Sequence, residues 1–240
     1  MTKYVLSLDG GGVRGLASAN FLRKLEYEMH KPLLKKFDLV CGSSTGGILA
    51  IALSVLKLNG SRLVNIYSSR NLKRIFSSSM PRLVGPKYGG RRKNNVLREY
   101  FGALTLNEAD TPAIAVSYDL KKRSTRLFKT FEDKHLKAWK VASATSAAPT
   151  FFPAVKIEEN WYIDGAISSN NPVLIAYAEA KKLWPDENIK VLSIGTGFDS
   201  KSFKGNSTKN WGIFSWLRGG IIQVLMESNS EHLIAESLFK

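Results

Sequence analysis

Twice near its start the chain runs out of a short apolar stretch, through a glycine-rich turn, and into a helical period. Tyr4 to Leu8 stops at Asp9–Gly10–Gly11–Gly12, a turn that no regular element passes through. Leu16 to His30 follows, with apolar residues at Leu16, Ala19, Phe21, Leu22, Leu25 and Met29, which is the spacing of a helix. Phe37 to Cys41 then stops at Gly42–Ser43–Ser44–Thr45–Gly46–Gly47, and an apolar helix is expected from Ile48 to about Leu58. Strand, turn and helix in that order point to an α/β sheet rather than a bundle or a sandwich of strands.

The rest of the chain extends the pattern. Strands are expected at Ala113–Tyr118, at an antiparallel neighbour Ser124–Lys129, at Trp161–Ile163 and at Lys190–Ile194. Helices are expected at Leu136–Ala144, at Val173–Leu183 and over most of Trp211–Phe239. Residues 60–100 read as short helices around a basic loop. No repeat and no linker interrupts the 240 residues, so a single domain with helices on both faces of its sheet is expected. In such sheets the functional groups gather beyond the carboxyl ends of strands. Four loops qualify: Asp9–Gly15, Gly42–Gly47, Asp164–Gly165 and Gly195–Gly197.

Composition narrows the class. A hydrophobic share of 44% excludes a disordered chain. Cys41 is the lone cysteine, so no internal disulfide and no cysteine-based zinc site can form. The first residues are too short and broken an apolar run for a signal peptide, and Ile48–Leu58 is far short of a membrane span. The chain is therefore expected to be soluble, in the cytoplasm or peripheral to a membrane.

Gly42–Ser43–Ser44–Thr45–Gly46 matches G-x-S-x-G, the nucleophile elbow, in which small neighbours let a strained turn lift a serine clear of the backbone. The helix that follows points its N-terminus at the site and favours negative charge there. A plain Gly/Ser turn is the competing reading. Gly10, Gly11 and Gly12 leave backbone N–H groups able to approach an oxyanion. Gly10, Gly12 and Gly15 also fit the dinucleotide fingerprint, but that motif wants an acidic residue at the end of the second strand. Asp38 lies at that strand's start, and its end is occupied by the elbow. None of His30, His135 and His232 sits at a strand end beside Gly or Ser, which counts against a Ser-His-Asp triad but not against a Ser–Asp pair. Asp164, after Trp161–Tyr162–Ile163 and before Gly165, lies at such a strand end, although Asp-Gly turns occur anywhere.

The elbow, the triple-glycine loop with Arg14 and the later Asp164–Gly165–Ala166 together resemble the patatin-like phospholipases. Ala144–Phe152, Asn170–Asn171–Pro172, Leu192–Gly197 and Trp211–Leu217 resemble the same family, in the same order. The resemblance implies a three-layer α/β/α sandwich with a mainly parallel central sheet. It implies Ser44 as nucleophile and Asp164 as base, with Gly10, Gly11, Gly12 and Arg14 around the oxyanion. Gly42, Thr45 and Gly46 would shape the elbow. The implied activity is hydrolysis of acyl chains from phospholipids or other acyl lipids, with no cofactor and no metal needed for catalysis. The family usually continues with a further strand and helix past the stretch that matches Ser228–Phe239, so this chain resembles a compact member or a part of a longer one. An aspartate serving as base should lie in a semi-apolar cleft that raises its pKa.

The net charge of +15 is concentrated. From Leu39 to Arg98 there is no acidic residue, while Lys57, Arg62, Arg70, Lys73, Arg74, Arg82, Lys87, Arg91, Arg92, Lys93 and Arg98 all fall there. Such a block suits an anionic membrane surface, with Arg91, Arg92 and Lys93 as candidate contacts. Nucleic acid is the rival, with Tyr67, Phe76 and Tyr88 available for stacking, and a solvated loop is the plain alternative. The acyl-hydrolase motifs favour lipid over nucleic acid. A lipase switched on by a partner also fits, although no sensor motif identifies the partner. Trp211–Leu217 suits a helix packed on the core better than a lid dipping into a membrane.

Overall fold

A computed structural model of the chain describes residues 1–77, 85–197, 208, 209, 211, 212, 215, 219–222, 224 and 225. His232 and most of the helix expected over Trp211–Phe239 lie outside the described residues.

The two opening strand–turn–helix units form as the pattern requires. β1 (Thr2–Leu8) leads through the glycine turn into α1 (Gly15–Met29), and β2 (Leu39–Ser43) leads into α2 (Thr45–Val55). β1 and β2 pair in parallel, with Val5 opposite Leu39 and Leu8 opposite Gly42. α2 starts at Thr45, earlier than the apolar run suggests, because the chain turns into the helix directly at Ser44. Then come α3 (Gly60–Ile66), α4 (Ser69–Ile75) and α5 (Gly90–Phe101). α5 fills a stretch that reads as basic loop. Its inward positions, Lys93, Val96, Leu97 and Phe101, recur at the three- and four-residue spacing of one helix face.

The second half supplies β3 (Ala113–Asp119), β4 (Ser124–Lys129), α6 (Ala138–Thr145), β5 (Val155–Ile157), β6 (Asn160–Asp164), α7 (Val173–Leu183) and β7 (Asn188–Ile194). β7, β1, β2 and β3 run parallel, and β4, β5 and β6 add antiparallel pairings. β5 is unexpected from sequence, since its 3 residues are too short for an alternation to register.

β3 organises the site. β4 pairs along β3 from Ile114 to Asp119, so the other edge of β3 must serve both β2 and β6. β2 takes residues 113–116 of that edge and β6 takes residues 117–119. The two strands approach from opposite directions, and their carboxyl ends meet where Ser43 faces Val116 and Asp164 faces Ser117.

Side chains alternate across the parallel strands, which are buried on both faces. Leu6, Leu8, Val40, Ala113 and Ala115 face the larger core, shared with α1, α2, α3, α5 and α6. Val5, Leu39, Cys41, Ile114 and Val116 face the other side, where α7 seats Ala176 and Ala180. The result is the expected three-layer α/β/α arrangement. α2 is apolar nearly all round because it is enclosed nearly all round.

Candidate active site

Ser44 occupies the turn between β2 and α2 with φ at 52°, a left-handed value that β-carbon residues adopt at a cost. The turn closes only because its neighbours are glycines. A Cβ on Gly42 would fall on the Gly46 carbonyl, and one on Gly46 would fall on the Leu8 carbonyl. The strained backbone is secured by the Ser44 N–H, which donates to Thr145 Oγ1 at 3.1 Å, and by Ile48 N–H, which donates to Ser44 O at 3.1 Å. Thr45, the first residue of α2, hydrogen-bonds through its hydroxyl to the Tyr67 hydroxyl from the end of α3.

Ser44 Oγ donates to Asp164 Oδ2 at 2.7 Å. Asp164 is fully buried, and Ser44 is only 5% exposed. Burial pushes the Asp164 carboxyl up to about 6, against the opposing pulls of the Ser44 hydroxyl, the Ala166 N–H and the nearby Lys93 charge. Asp164 Oδ1 accepts from Ala166 N at 2.9 Å, and its own N–H donates to Ala147 O at 3.1 Å. Gly165 follows because a Cβ there would collide with the Val116 carbonyl. The expectation of an aspartate in an apolar cleft with a raised pKa matches this geometry. The route differs, because β6 is antiparallel and reaches Ser44 from the opposite end of β3.

The four loops singled out in the sequence come together here. Asp9 N–H donates to Ile194 O at 3.1 Å, and Ser18 Oγ donates to Gly195 O at 3.1 Å. Gly10 N–H donates to Asn170 O at 2.9 Å, while Thr196 Oγ1 donates to Gly10 O at 2.8 Å. The Gly10 amide is therefore already spent, and Gly10 holds the loop instead of offering a donor. Gly11 and Gly12 line the cavity beside Ser44, and neither N–H has a hydrogen-bond partner among the described residues. Gly12, with φ at 58°, opens the 3-10 turn Gly12–Arg14, whose first N–H groups have no partner within the turn. Arg14 lines the same cavity. Asp9, at the root of the loop, is buried, and desolvation raises its carboxyl to about 7.

The cavity holds about 420 Å3. Ser44, Asp164, Gly11 and Gly12 lie along it, and Ile48, Ile66, Leu72, Ile75, Phe76 and Leu97 are among its apolar lining. That wall is built largely from α3, α4 and α5, the basic segment of the sequence. Phe76, Tyr88, Phe151 and Phe152 form an aromatic cluster there, with ring centroids 5.2 to 6.4 Å apart. Lys87 lies over Tyr88 and Phe151.

Lys93 corrects the surface reading. It is 4% exposed, and its ammonium donates to Ser143 O at 2.9 Å, Ser146 O at 2.9 Å and Ser146 Oγ at 3.2 Å. A side chain committed in this way cannot contact an external anion. Arg91 and Arg92 are exposed on the same helix, Arg92 bonding to Ser77. The basic block, which sequence reasoning left without a catalytic candidate, thus places one of its charges inside the cavity wall. Thr145, Ala147, Asn170 and Thr196 also stood in the stretches noted for their resemblance but without a role. Each now has one, as a partner to the backbone of Ser44, Asp164 or Gly10. His30 caps α1 and His135 shares a 2.8 Å hydrogen bond with Glu158 on the surface, so neither reaches the site. Among the described residues no three His, Cys, Asp or Glu side chains gather into a metal site.

A family model described as Patatin-like phospholipase matches residues 6–177. The chain is 31% identical over 254 residues to a cGAMP-activated phospholipase of Pseudomonas aeruginosa (strain BWHPSA011 / Pa011), covering 99% of this chain and 76% of that protein. It is 32% identical to Patatin-like protein 2 of Oryza sativa subsp. indica, covering 90% of this chain and 66% of that protein, or about two thirds of its length. Among solved structures, VipD from Legionella pneumophila superposes with a TM-score of 0.60 at 11% identity, over 86% of this chain and 52% of that one. The last likeness is one of fold.

Proposed function

The chain belongs to the patatin-like phospholipase family, and from that premise we propose that it is a serine acyl hydrolase working through Ser44 and Asp164. The observation that carries the reading is the 2.7 Å hydrogen bond from Ser44 Oγ to a buried Asp164, at the head of a mainly apolar cavity. In the first half-reaction Ser44 Oγ attacks the acyl carbonyl carbon and Asp164 takes the hydroxyl proton. The carbonyl oxygen becomes an oxyanion, which the N–H groups of Gly11 and Gly12 would receive, with Arg14 close by. The C–O ester bond then breaks, and the departing alcohol leaves with the proton from Asp164. In the second half-reaction Asp164 takes a proton from water, which attacks the acyl-serine. Fatty acid leaves and the proton returns to Ser44.

A carboxyl lifted to about 6 is far better matched to this task than an ordinary aspartate. Ile48, Ile66, Leu72, Ile75 and Leu97 would take the acyl chain. Lys87, Arg91 and Arg92 would hold this side of the molecule against anionic lipid, placing the protein peripherally on a membrane. Among the described residues no helix is long and apolar enough to cross one. The test is release of fatty acid from phospholipid vesicles. Wild type should release it, and Ser44→Ala should lose at least about 10³-fold in rate. A Ser44→Ala protein with wild-type activity would overturn the assignment.

A second reading, that the hydrolase stays silent until a ligand binds, is favoured by the Pseudomonas relative described as cGAMP-activated. The same assay with and without cGAMP decides it. An unchanged rate removes cGAMP as the trigger.

A further inference from the structure

Lys93 is a buried cation for which the two-residue mechanism has no use. Its three N–H donors are all engaged, two on the carbonyls of Ser143 and Ser146 and one on Ser146 Oγ. Ser146 Oγ in turn donates to Ala142 O at 2.8 Å. These oxygens belong to the last turn of α6 and its cap, where a helix leaves carbonyls without partners and favours a positive charge. The same short segment carries both partners of the dyad's backbone. Thr145 Oγ1 accepts the Ser44 N–H, and Ala147 O accepts the Asp164 N–H.

We propose that Lys93 is a positioning residue of the dyad, fastening the carbonyl end of α6 from which Ser44 and Asp164 are both hung and setting its ammonium charge against the Asp164 carboxylate. The proposal rests on the Ser44–Asp164 reading above. Geometry and charge agree on it. Burial lowers the Lys93 ammonium to about 7, and the Asp164 carboxylate pulls it back up. In return Lys93 favours the ionised form of Asp164. The engaged acceptors also favour the ammonium, since a neutral amine has one donor fewer to offer them. Among the other ionisable groups, Arg14 from the glycine turn and Tyr67 from the end of α3 line the same cavity, and Asp9 lies at the root of the glycine loop. Among the described residues Lys93, from α5, is the charge that acts on Asp164.

The test is the pH profile of kcat/KM for Lys93→Met on a soluble ester, beside wild type and Ser44→Ala. Methionine matches the side chain as far as its Cε and removes the ammonium. The acid limb of Lys93→Met should move up by about one pH unit. Its kcat should fall about tenfold, with KM changed by less than about twofold. A limb that stays at the wild-type pH overturns the proposal, because a merely structural lysine would lower activity without moving it. If Ser44→Ala remains active the dyad reading itself fails. If Ser44→Ala is inactive and the limb has not moved, only the role of Lys93 fails. Should Lys93→Met show no cooperative melt, the coupling is read from the other side. Lysine-Nζ NMR on Asp164→Asn should then show Lys93 losing its proton at a lower pH than in wild type. An unchanged Lys93 titration overturns the proposal.

Discussion

Asp164 serves two opposed demands: enclosure raises its basicity, and the same enclosure destabilises its charged form. With the carboxyl lifted to about 6, kcat/KM on a soluble ester should climb with pH, reach half its plateau near that value, and stay level just above it. A profile flat from about pH 5 upward would contradict the assignment of the base. The stability consequence has a definite sign. The folded-state pKa lies above the unfolded value of about 3.9, so the cost of ionised Asp164 to stability is full above about pH 6 and fades as pH falls from there to about pH 4. Asp164→Asn keeps the shape, since its amide can accept from Ala166 N–H and donate to Ser44 Oγ. Near pH 8 the variant should be inactive yet more resistant to urea, by about 1–3 kcal/mol. Equal or lower stability at that pH would show that burial does not penalise this carboxylate.

At the scale of elements, the site exists because β2 and β6 meet on one edge of β3 and α6 is fastened beside the junction. Thr145 joins the two parts, accepting the Ser44 N–H and donating to the Val116 carbonyl. Thr145→Val keeps the bulk but leaves both buried groups unpaired, and should cost about 2 kcal/mol or more with a loss of kcat. Thr145→Ser keeps both bonds and should cost about half that or less. Denaturant unfolding measures the difference, and a Thr145→Val protein at least as stable as Thr145→Ser would show that the two hydrogen bonds do not hold the junction. The elbow was legible in the sequence because strand, turn and helix are contiguous and the crowding at Gly42 and Gly46 is local. The direction of β6 was not, because it is set by pairing with residues more than forty positions earlier. α5 was hidden for another reason. Arg91–Arg92–Lys93 reads as a solvated run until Lys93 is seen to share a face with Val96, Leu97 and Phe101.

At the scale of the whole molecule, the charge of +15 divides among several tasks. Lys57 pairs with Asp110 at 2.8 Å, Arg74 pairs with Glu99, and Arg98 lies over Trp139. Lys93 is inside, while Lys87 lies exposed over the aromatic cluster of the cavity wall and Arg91 and Arg92 are exposed on α5. Arg91→Glu with Arg92→Glu should therefore weaken binding to anionic vesicles at least about tenfold, since each basic residue near such a surface contributes about 1 kcal/mol. Binding to zwitterionic vesicles should not change. Unaltered binding to anionic vesicles would leave these arginines as solvated surface, and tight, steeply salt-dependent binding to nucleic acid would favour the rival partner. The proposed nucleophile is one serine, at a strained turn and paired with a buried aspartate. Labelling with a fluorophosphonate, followed by mapping of the modified peptide, tests it without assuming a substrate. The label should fall on Ser44 in wild type and be lost in Ser44→Ala. A folded wild-type protein that resists the reagent, or carries it on another residue, would rule out Ser44 as the nucleophile.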